Sequence, residues 1–487
     1  MNVNKQRPSV AVLIVTGLAL VMISGCMVGP EYRQPQPPAV PSAWVGVSKI
    51  PTDQPYVATA QPVDLTQWWK QFNDPILNEL VEEAVKTNLD LQTAEANLRQ
   101  ARALRGVAIG GLWPSVTASG AYQRLHSAST MPDNLQMVNL YQAGLDAVWE
   151  LDLFGGIRRN VESAGANVQA AIENIRDVQV SLIAEVALDY IQLRCYQQEI
   201  VIAQNNLKAQ RHTAAITHKL LEVGFDSALD VANAESAVAT TESQIPVFET
   251  SAQQSIYALS VLLAQPPAAL LEKLSPVGSL PKVPARIPAG LPSELLRRRP
   301  DIRQSEAQLH AATAQVGVAV AQLFPSFSLT GTVNWQSNML RTWWTDASRS
   351  FSFGPSVNWP VFQGGAIISN VHLQEALRDQ AFITYQKTVL AAFQDVENAL
   401  IAFNKEQEHR KSLNDAVIAN QKAVDLSLQL YTEGQIEFLN VLVAELQLYS
   451  SENALVQSES NIVTDLIALY KALGGGWESM QSPVGLD

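Results

Sequence analysis

Phe327-Ser328-Leu329-Thr330-Gly331-Thr332-Val333-Asn334-Trp335 alternates apolar and polar side chains without a break. In an extended chain successive side chains point to opposite faces, so this run has one oily face and one hydroxyl- and amide-rich face. The pattern returns in Phe351, Phe353, Pro355, Val357, Trp359 and Val361, interleaved with Ser352, Gly354, Ser356 and Asn358. Upstream, Leu145, Ala147, Trp149, Leu151 and Leu153 interleave with Asp146, Val148, Glu150 and Asp152. Residues 116–123 alternate more weakly, with Val116, Ala118 and Tyr122 on one side. Segments of about 10 residues with period 2 and aromatic ends match transmembrane β-strands. A half-buried soluble sheet alternates in the same way. In lipid every backbone N–H and C=O must be paired, so an open four-stranded sheet cannot span a membrane. Barrels close with about eight strands or more. The pattern therefore predicts a barrel shared by at least two copies, and three for a usable lumen. Asp146, Glu150 and Asp152 would then face inward and make a wet, acidic pore.

The flanking sequence repeats at an offset of about 210 residues. Leu112-Trp113-Pro114-Ser115 matches Leu323-Phe324-Pro325-Ser326, and Val148 through Gly155-Gly156 matches Val357 through Gly364-Gly365. Gly224, Leu229, Asp230-Val231 and Ala234-Glu235 match Gly434, Leu439, Asn440-Val441 and Ala444-Glu445. Each half reads as helix, two strands, very long helix, returning helix. Asp74-Pro75 offers an N-cap followed by proline at the first helical position, and the first helix is expected to run on toward Gly110-Gly111. Residues 157–222 hold one glycine and no proline, and 366–433 hold neither. Each would span roughly 100 Å as one helix. Apolar residues at heptad-like spacing, among them Leu182, Val186, Leu193, Val389, Val396 and Leu400, predict packed helical neighbours. The predicted organisation is a signal peptide at 1–25, a lipid-anchored segment at 26–74 and a first repeat at 75–264. That repeat has strands near 112–125 and 140–153, a long helix 157–222 and a return helix 226–264. A linker follows at 265–291. The second repeat, 292–473, has strands near 324–336 and 350–362, a long helix 366–433 and a return helix 436–473. Residues 474–487 form a tail.

Cys26 supplies the membrane context. It follows Lys5, Arg7, an apolar stretch from Val10 to Ile23 and the small residues Ser24-Gly25. That order is a bacterial lipoprotein signal peptide, too short for a spanning helix. An ordinary signal peptide with an incidental cysteine is the plainer alternative. Acylation at Cys26 would tether the mature chain, and Met27 after the cysteine points to the outer membrane. Cleavage removes Lys5 and Arg7, taking the formal charge from −13 to −15. So acidic a chain is a poor nucleic-acid binder. Cys195, the other cysteine, has no partner for a disulfide and reads as a small buried hydrophobe. The six histidines are scattered, and no phosphate loop, paired-cysteine motif or nucleophile elbow occurs. The chain is expected to be no enzyme and to carry no cofactor beyond N-acyl and S-diacylglycerol groups on Cys26. Arg297-Arg298-Arg299 reads as a solvated helix start.

Several motifs together resemble the outer-membrane factor family, the TolC-like exit ducts, and within it the OprM/NodT-type efflux lipoproteins. They are Cys26 to Tyr32, Trp68-Trp69-x-x-Phe72-x-Asp74-Pro75, Trp149-Glu150-Leu151-Asp152-Leu153-Phe154-Gly155, Gly290-Leu291-Pro292-Ser293-Glu294-Leu295-Leu296-x-Arg298-Arg299-Pro300-Asp301-Ile302, Phe324-Pro325-Ser326, and Tyr470-Lys471-Ala472-Leu473-Gly474-Gly475-Gly476-Trp477. The resemblance implies a mainly α chain with a transmembrane β-barrel. The duplicated unit would trimerise into a 12-stranded barrel, four strands per chain, continued by a long periplasmic α-helical barrel. An equatorial region would be built from the termini and the 265–291 linker. The implied partners are two further copies, a periplasmic adaptor and an inner-membrane pump, commonly of the resistance–nodulation–division type. The implied activity is passive exit of drugs and other small toxic compounds. Protein secretion through the same fold, or a lipid-anchored envelope tether without a lumen, are the alternatives.

By the same resemblance the hairpin tips, Leu221 to Val231 and Tyr431 to Val441 with Gly224 and Gly434 at the turns, meet the adaptor and close the duct. Leu229, Asp230, Tyr431, Leu439, Asn440 and Val443 are the gate candidates. Leu439 matches a constricting leucine ring. The expected carboxylate ring falls on Val443, and Asn440 stands where TolC has an aspartate. A hydrophobic constriction at Leu439 and Val443 and simple packing of Val443 against a neighbouring helix are both open.

Overall fold

The computed structural model describes residues 27–38, 40–48, 56–59, 65–126, 137–288 and 290–479. Cys26 and the segment before it lie outside these. The chain forms two compact units. The first combines Asn97–Ile172, Gln304–Tyr385 and the N-terminal residues up to Gln36; the second combines Pro37–Ala96, Glu173–Arg303 and Gln386–Asp487.

The main elements, in chain order, are α1 (Pro75–Thr87), α2 (Leu89–Gly110), β1 (Ser115–Leu125), β2 (Val138–Leu151), α3 (Gly156–Glu222) and α4 (Ala228–Leu262). The second repeat gives α5 (Pro292–Arg298), α6 (Pro300–Ala321), β3 (Ser326–Ser337), β4 (Arg349–Asn358), α7 (Ala366–Thr432) and α8 (Phe438–Ala472). The duplication is visible in the lengths: α2 and α6 have 22 residues each, α3 and α7 have 67, and α4 and α8 have 35. The return helix α4 runs on through Pro246.

Three boundaries depart from the sequence expectation. The helix expected from Asp74-Pro75 to Gly110-Gly111 breaks at Asn88. Its side-chain Oδ1 caps α2 by accepting from the amides of Asp90 (2.9 Å) and Leu91 (3.0 Å), which favours a helix start over continuation. In the second repeat the equivalent joint is Arg299, held extended because Pro300 follows it. Arg299 is thus not a solvated helix start. Its guanidinium pairs with Asp301 (2.7 Å) and Asp395 (3.1 Å) and donates to the Ala472 carbonyl at the end of α8. Finally, β4 stops at Asn358, short of Trp359 and Val361. Pro360 has no N–H for a ladder, and the Trp359 indole donates instead to the Leu323 carbonyl (3.2 Å).

In the first unit the four long strands form one antiparallel sheet in the order β1-β2-β3-β4, so the two repeats meet at the β2–β3 pair. Trp149 donates to the Leu112 carbonyl (3.0 Å), as its repeat partner Trp359 does to Leu323. Each indole therefore ties a strand end to the helix end that precedes its hairpin. The N-terminal segment lies across this region. Val28 N–H donates to Phe154 O (3.1 Å), and Tyr32 stacks on His310 at 4.1 Å and donates to Glu306. Gly29 adopts φ +86° where a Cβ would come within 2.5 Å of Gly317 Cα, so only glycine fits.

In the second unit Asp74 caps α1 through the amides of Ile76 and Leu77, and its other oxygen accepts from Tyr190 (2.7 Å). Leu77, Leu80, Val81 and Ala84 form the buried face of α1. Trp68, Trp69 and Phe72 bury beside Tyr470, with Trp68 and Tyr470 rings 5.2 Å apart. Val57–Thr59 pairs in parallel with Arg286–Pro288, joining the N-terminal segment to the linker. Residues of the tail return to the same core: Arg176 and Arg303 lie over the Trp477 ring at 4.6 and 5.6 Å, and both pair with the buried Glu173. Cys195 is buried and outside any disulfide, and burial pushes its thiol up to about 11.

Burial, with Glu406 nearby, raises the Asp465 carboxyl from 3.8 to about 6. The folded chain then binds this proton more tightly than the unfolded chain, so this group lowers stability as pH rises toward 6 and has no further effect above it. Asp465→Asn is expected to raise the thermal midpoint at pH 7 and shrink its gain on acidification to pH 5. Identical melting profiles for the two proteins would contradict this.

Candidate functional site

Two places concentrate the predicted functional residues: the sheet of the first unit and the hairpin tips of the second.

The register sorts the sheet into two chemically distinct faces. Tyr122 pairs with Tyr141, Ala118 with Leu145, Leu145 with Val333, and Val333 with Phe351. Trp149 pairs with Leu329, Gly331 with Phe353 and Phe327 with Val357 on the same face. The opposite face pairs Thr117 with Asp146, Asp146 with Thr332 and Thr332 with Ser352, and it also carries Glu150 and Ser328. From Phe327 to Trp335 the apolar face spans about 26 Å at the rise of a strand, close to the ~25 Å band of an outer-membrane barrel. Aromatic rings mark both ends. Trp149 and Trp359 lie at the helix end, and Tyr122, Tyr141, Trp343, Trp344 and Trp335 form a ladder with centroids 4.9 to 5.8 Å apart at the other. This face is open: Phe353 is 82% exposed and Phe351 67%. So are both edges of the sheet, since among the described residues β1 and β4 each have one neighbour.

Of the three predicted pore acids, Asp146 lies on the polar face and Glu150 is exposed at its helix end. Glu150 and Asp152 line a recess of about 920 Å³ with Asn160, Asn167 and Gln322. Asp152 is committed locally, however. Its carboxylate accepts from the amides of Ile157 (3.1 Å) and Arg158 (2.8 Å) and pairs with the Arg158 guanidinium. It caps α3, a role the strand alternation did not signal.

At the tips, the two long helices end identically. Gly224 (φ +78°) and Gly434 (φ +73°) adopt the left-handed conformation. Phe225 N–H donates to Leu220 O and Gln435 N–H to Leu430 O, both at 2.8 Å. These are paired Schellman turns, which Gly allows without strain. The return helices start differently: Ser227 and Asp230 form a capping box on α4, whereas Glu437 makes no side-chain cap on α8.

A small core ties the two tips together, with Ala214, Ala234, Tyr431, Phe438 and Val441 buried and Leu220, Leu428 and Ile436 packed on it. Val231 and Val441, expected at the docking surface, are 8% and 0% exposed. Val441 belongs to that core, and Val231 is buried on the return helix of the first hairpin. Leu221 is half-buried, and Gly224 and Gly434 are exposed at the turns. Tyr431 is buried too, and its hydroxyl sits between the Asp226 carboxylate and Thr217 Oγ1. Thr213 donates to the buried Glu445 (2.6 Å) and Asn206 to Glu452 (2.7 Å) along the same α3–α8 seam. Burial, then the neighbouring Asp230, raises the Asp226 carboxyl above the usual range. No local pattern signals these contacts of Asp226, Thr217 and Glu445, because their partners lie more than 200 residues away. Leu229, Leu439 and Val443 are exposed apolar side chains, Asn440 is exposed, and Asp230 is half-buried in its capping box. Among the described residues no cluster of His, Cys, Asp and Glu could hold a metal ion.

A sheet with one lipid-matched face and open edges, together with helices of 67 residues, is the architecture of an outer-membrane duct protein. The chain belongs to the outer membrane efflux protein family, whose model matches it twice, over residues 80–265 and 291–475. The two matches coincide with the two repeats. The chain is 32% identical over 459 residues to Nodulation protein T of Rhizobium leguminosarum bv. viciae, covering 94% of this chain and 92% of that protein. It is 33% identical over 478 residues to the solvent efflux pump outer membrane protein SrpC of Pseudomonas putida, covering 95% and 98%. Among solved structures, the outer-membrane channel OprN superposes with a TM-score of 0.84 at 37% identity, covering 93% of this chain and 100% of that one. The protein is an outer-membrane efflux channel component, extending into the periplasm.

Proposed function

We propose that three copies of this chain close a 12-stranded β-barrel in the outer membrane, with the long helices lining a passive duct for drugs and other small toxic compounds. The observation that carries this is the open amphipathic sheet. Its apolar face matches the membrane in height, and its two unpaired edges can be satisfied only by further strands. The relatives' printed names, solvent efflux among them, support the substrate class. Energy for export comes from partners, a periplasmic adaptor and an inner-membrane pump of the resistance–nodulation–division type. The chain itself performs no catalysis. Cys26 carries the lipid that holds the N-terminus at the membrane, and the docked segment from Val28 to Tyr32 fixes where that anchor leaves the fold.

The gate in this reading is the tip. Leu439 and Val443 face the lumen as an uncharged constriction, with Leu229 beside them and Asn440 in place of an acid. Single-channel recording in planar bilayers tests both levels of the proposal. The wild-type protein is expected to conduct little at rest and to show weak block by divalent cations. Val443→Asp would place three carboxylates in one ring and is expected to strengthen that block at least tenfold. Absence of any conductance from a correctly inserted protein would sink the duct, whereas unchanged block in Val443→Asp would sink only the gate assignment.

A further inference from the structure

The strand-to-strand turn between β3 and β4 is built unlike a water-facing loop. All four helix connections leave the sheet at one end, so residues 338–348 lie at the other, which is the cell exterior if the sheet is a membrane wall. Yet Met339, Leu340 and Trp344 are 53%, 62% and 63% exposed there. The turn is held rigidly over the apolar face. Trp343 Nε1 donates to Trp335 O (3.1 Å), and Ser348 Oγ lies 2.8 Å from Thr342 O and 2.6 Å from Trp343 O. Trp344 packs on both Trp335 (5.5 Å) and Trp343 (4.9 Å), continuing the aromatic ladder from Tyr141. Two cations stand on this oily ledge. Arg341 is exposed on the turn, and Arg349 opens β4 opposite Trp335, on the apolar face. The turn's acid, Asp346, is 91% exposed at its side chain and reaches Arg349 only at 3.5 Å. Such a pair is worth little in water and leaves the guanidinium free to take a better anion.

Aromatic rings beside arginines at a bilayer rim match an anionic lipid headgroup. The rings fit the acyl–headgroup boundary and each guanidinium can grip a phosphate with two donors. We propose that the Leu340–Arg349 ledge is a docking surface for a phosphorylated glycolipid of the outer leaflet, the diphosphorylated disaccharide of lipopolysaccharide. Arg341 and Arg349 bind its phosphates, and Leu340 and Trp344 lie against its acyl chains. The inference rests on the reading of the sheet as a membrane wall.

The test is lipid retention by the intact, detergent-extracted assembly. Wild type and the Arg341→Glu/Arg349→Glu variant are purified from the same membranes, and bound lipopolysaccharide is quantified by native mass spectrometry. Both are then re-exposed to purified lipid A, lipid A stripped of its phosphates, or phosphatidylglycerol. The variant is expected to assemble and conduct as wild type does but to retain at least fivefold less lipopolysaccharide. Wild type should prefer intact lipid A to both other lipids. Equal retention by an assembled variant, or equal capture of phosphate-free lipid A, would overturn the glycolipid site alone. Failure of the wild-type protein to insert in a membrane would overturn the duct as well.

Discussion

Replacing Phe353 with arginine is expected to remove the protein from the outer membrane. Phe353 stands in the middle of β4, opposite Gly331, with its ring almost fully exposed on the apolar face. An arginine near the midplane of a membrane barrel costs about 2–4 kcal/mol. Three copies in one barrel would cost roughly 6–12 kcal/mol, which rivals the whole stability of an ordinary folded protein. Ser356→Arg is the control, since Ser356 pairs with Ser328 on the polar face and its substitute would extend into the lumen. Membrane fractionation and native electrophoresis separate the cases. Phe353→Arg should be absent from the outer-membrane fraction and Ser356→Arg should remain there as an oligomer. Normal insertion of Phe353→Arg would mean that this face does not meet lipid.

The second large effect is expected from Tyr431→Phe. Its hydroxyl, buried at the end of α7, joins the second hairpin to Asp226 and Thr217 of the first. The variant keeps the ring that packs on Phe438 at 5.6 Å and removes only the polar link. Hydrogen bonds to charged groups contribute about 1.5–3 kcal/mol, and partial exposure of Asp226 brings this to about 1 kcal/mol per chain. Summed over three chains, the closed tip would lose about a hundredfold in population relative to the open one. Resting conductance and entry of a large antibiotic should therefore rise in Tyr431→Phe without loss of assembled protein. Wild-type conductance and susceptibility would show that the link is structural and does not hold the gate. Acid should act in the same direction. Asp226 takes up its proton at a higher pH than an ordinary carboxyl because of burial and then Asp230, and a neutral acceptor holds Tyr431 less tightly.

Much of the architecture was legible in the sequence because it rests on local periodicity. Phe327 to Trp335 and Leu145 to Leu151 showed the strand faces through period 2 alone, and the absence of proline from 157–222 and 366–433 showed the long helices. The glycines at 224 and 434 marked both turns, since only a residue tolerant of positive φ ends a helix in a Schellman turn. What stayed hidden depends on residues distant in sequence. Nothing local distinguishes Val231 and Val441, buried in the tip, from Leu229 and Leu439, exposed beside them. Arg299 looked like part of a solvated basic run, yet its partners Asp395 and Ala472 arrive from other helices. Asp152 fell on the polar phase of a strand pattern, and its capping role became visible only with the start of α3. Tyr32 and His310, stacked beside the sheet, lie far apart in sequence with no shared motif.

The central claim is that one chain supplies a third of a membrane-spanning barrel. Native mass spectrometry of the detergent-extracted protein, with its acyl chains left on, tests it most directly. The predicted result is a single particle of three chains, each carrying the lipid mass of an acylated Cys26. A stable monomer would contradict the closure of the β1 and β4 edges by neighbouring copies, and with it the duct.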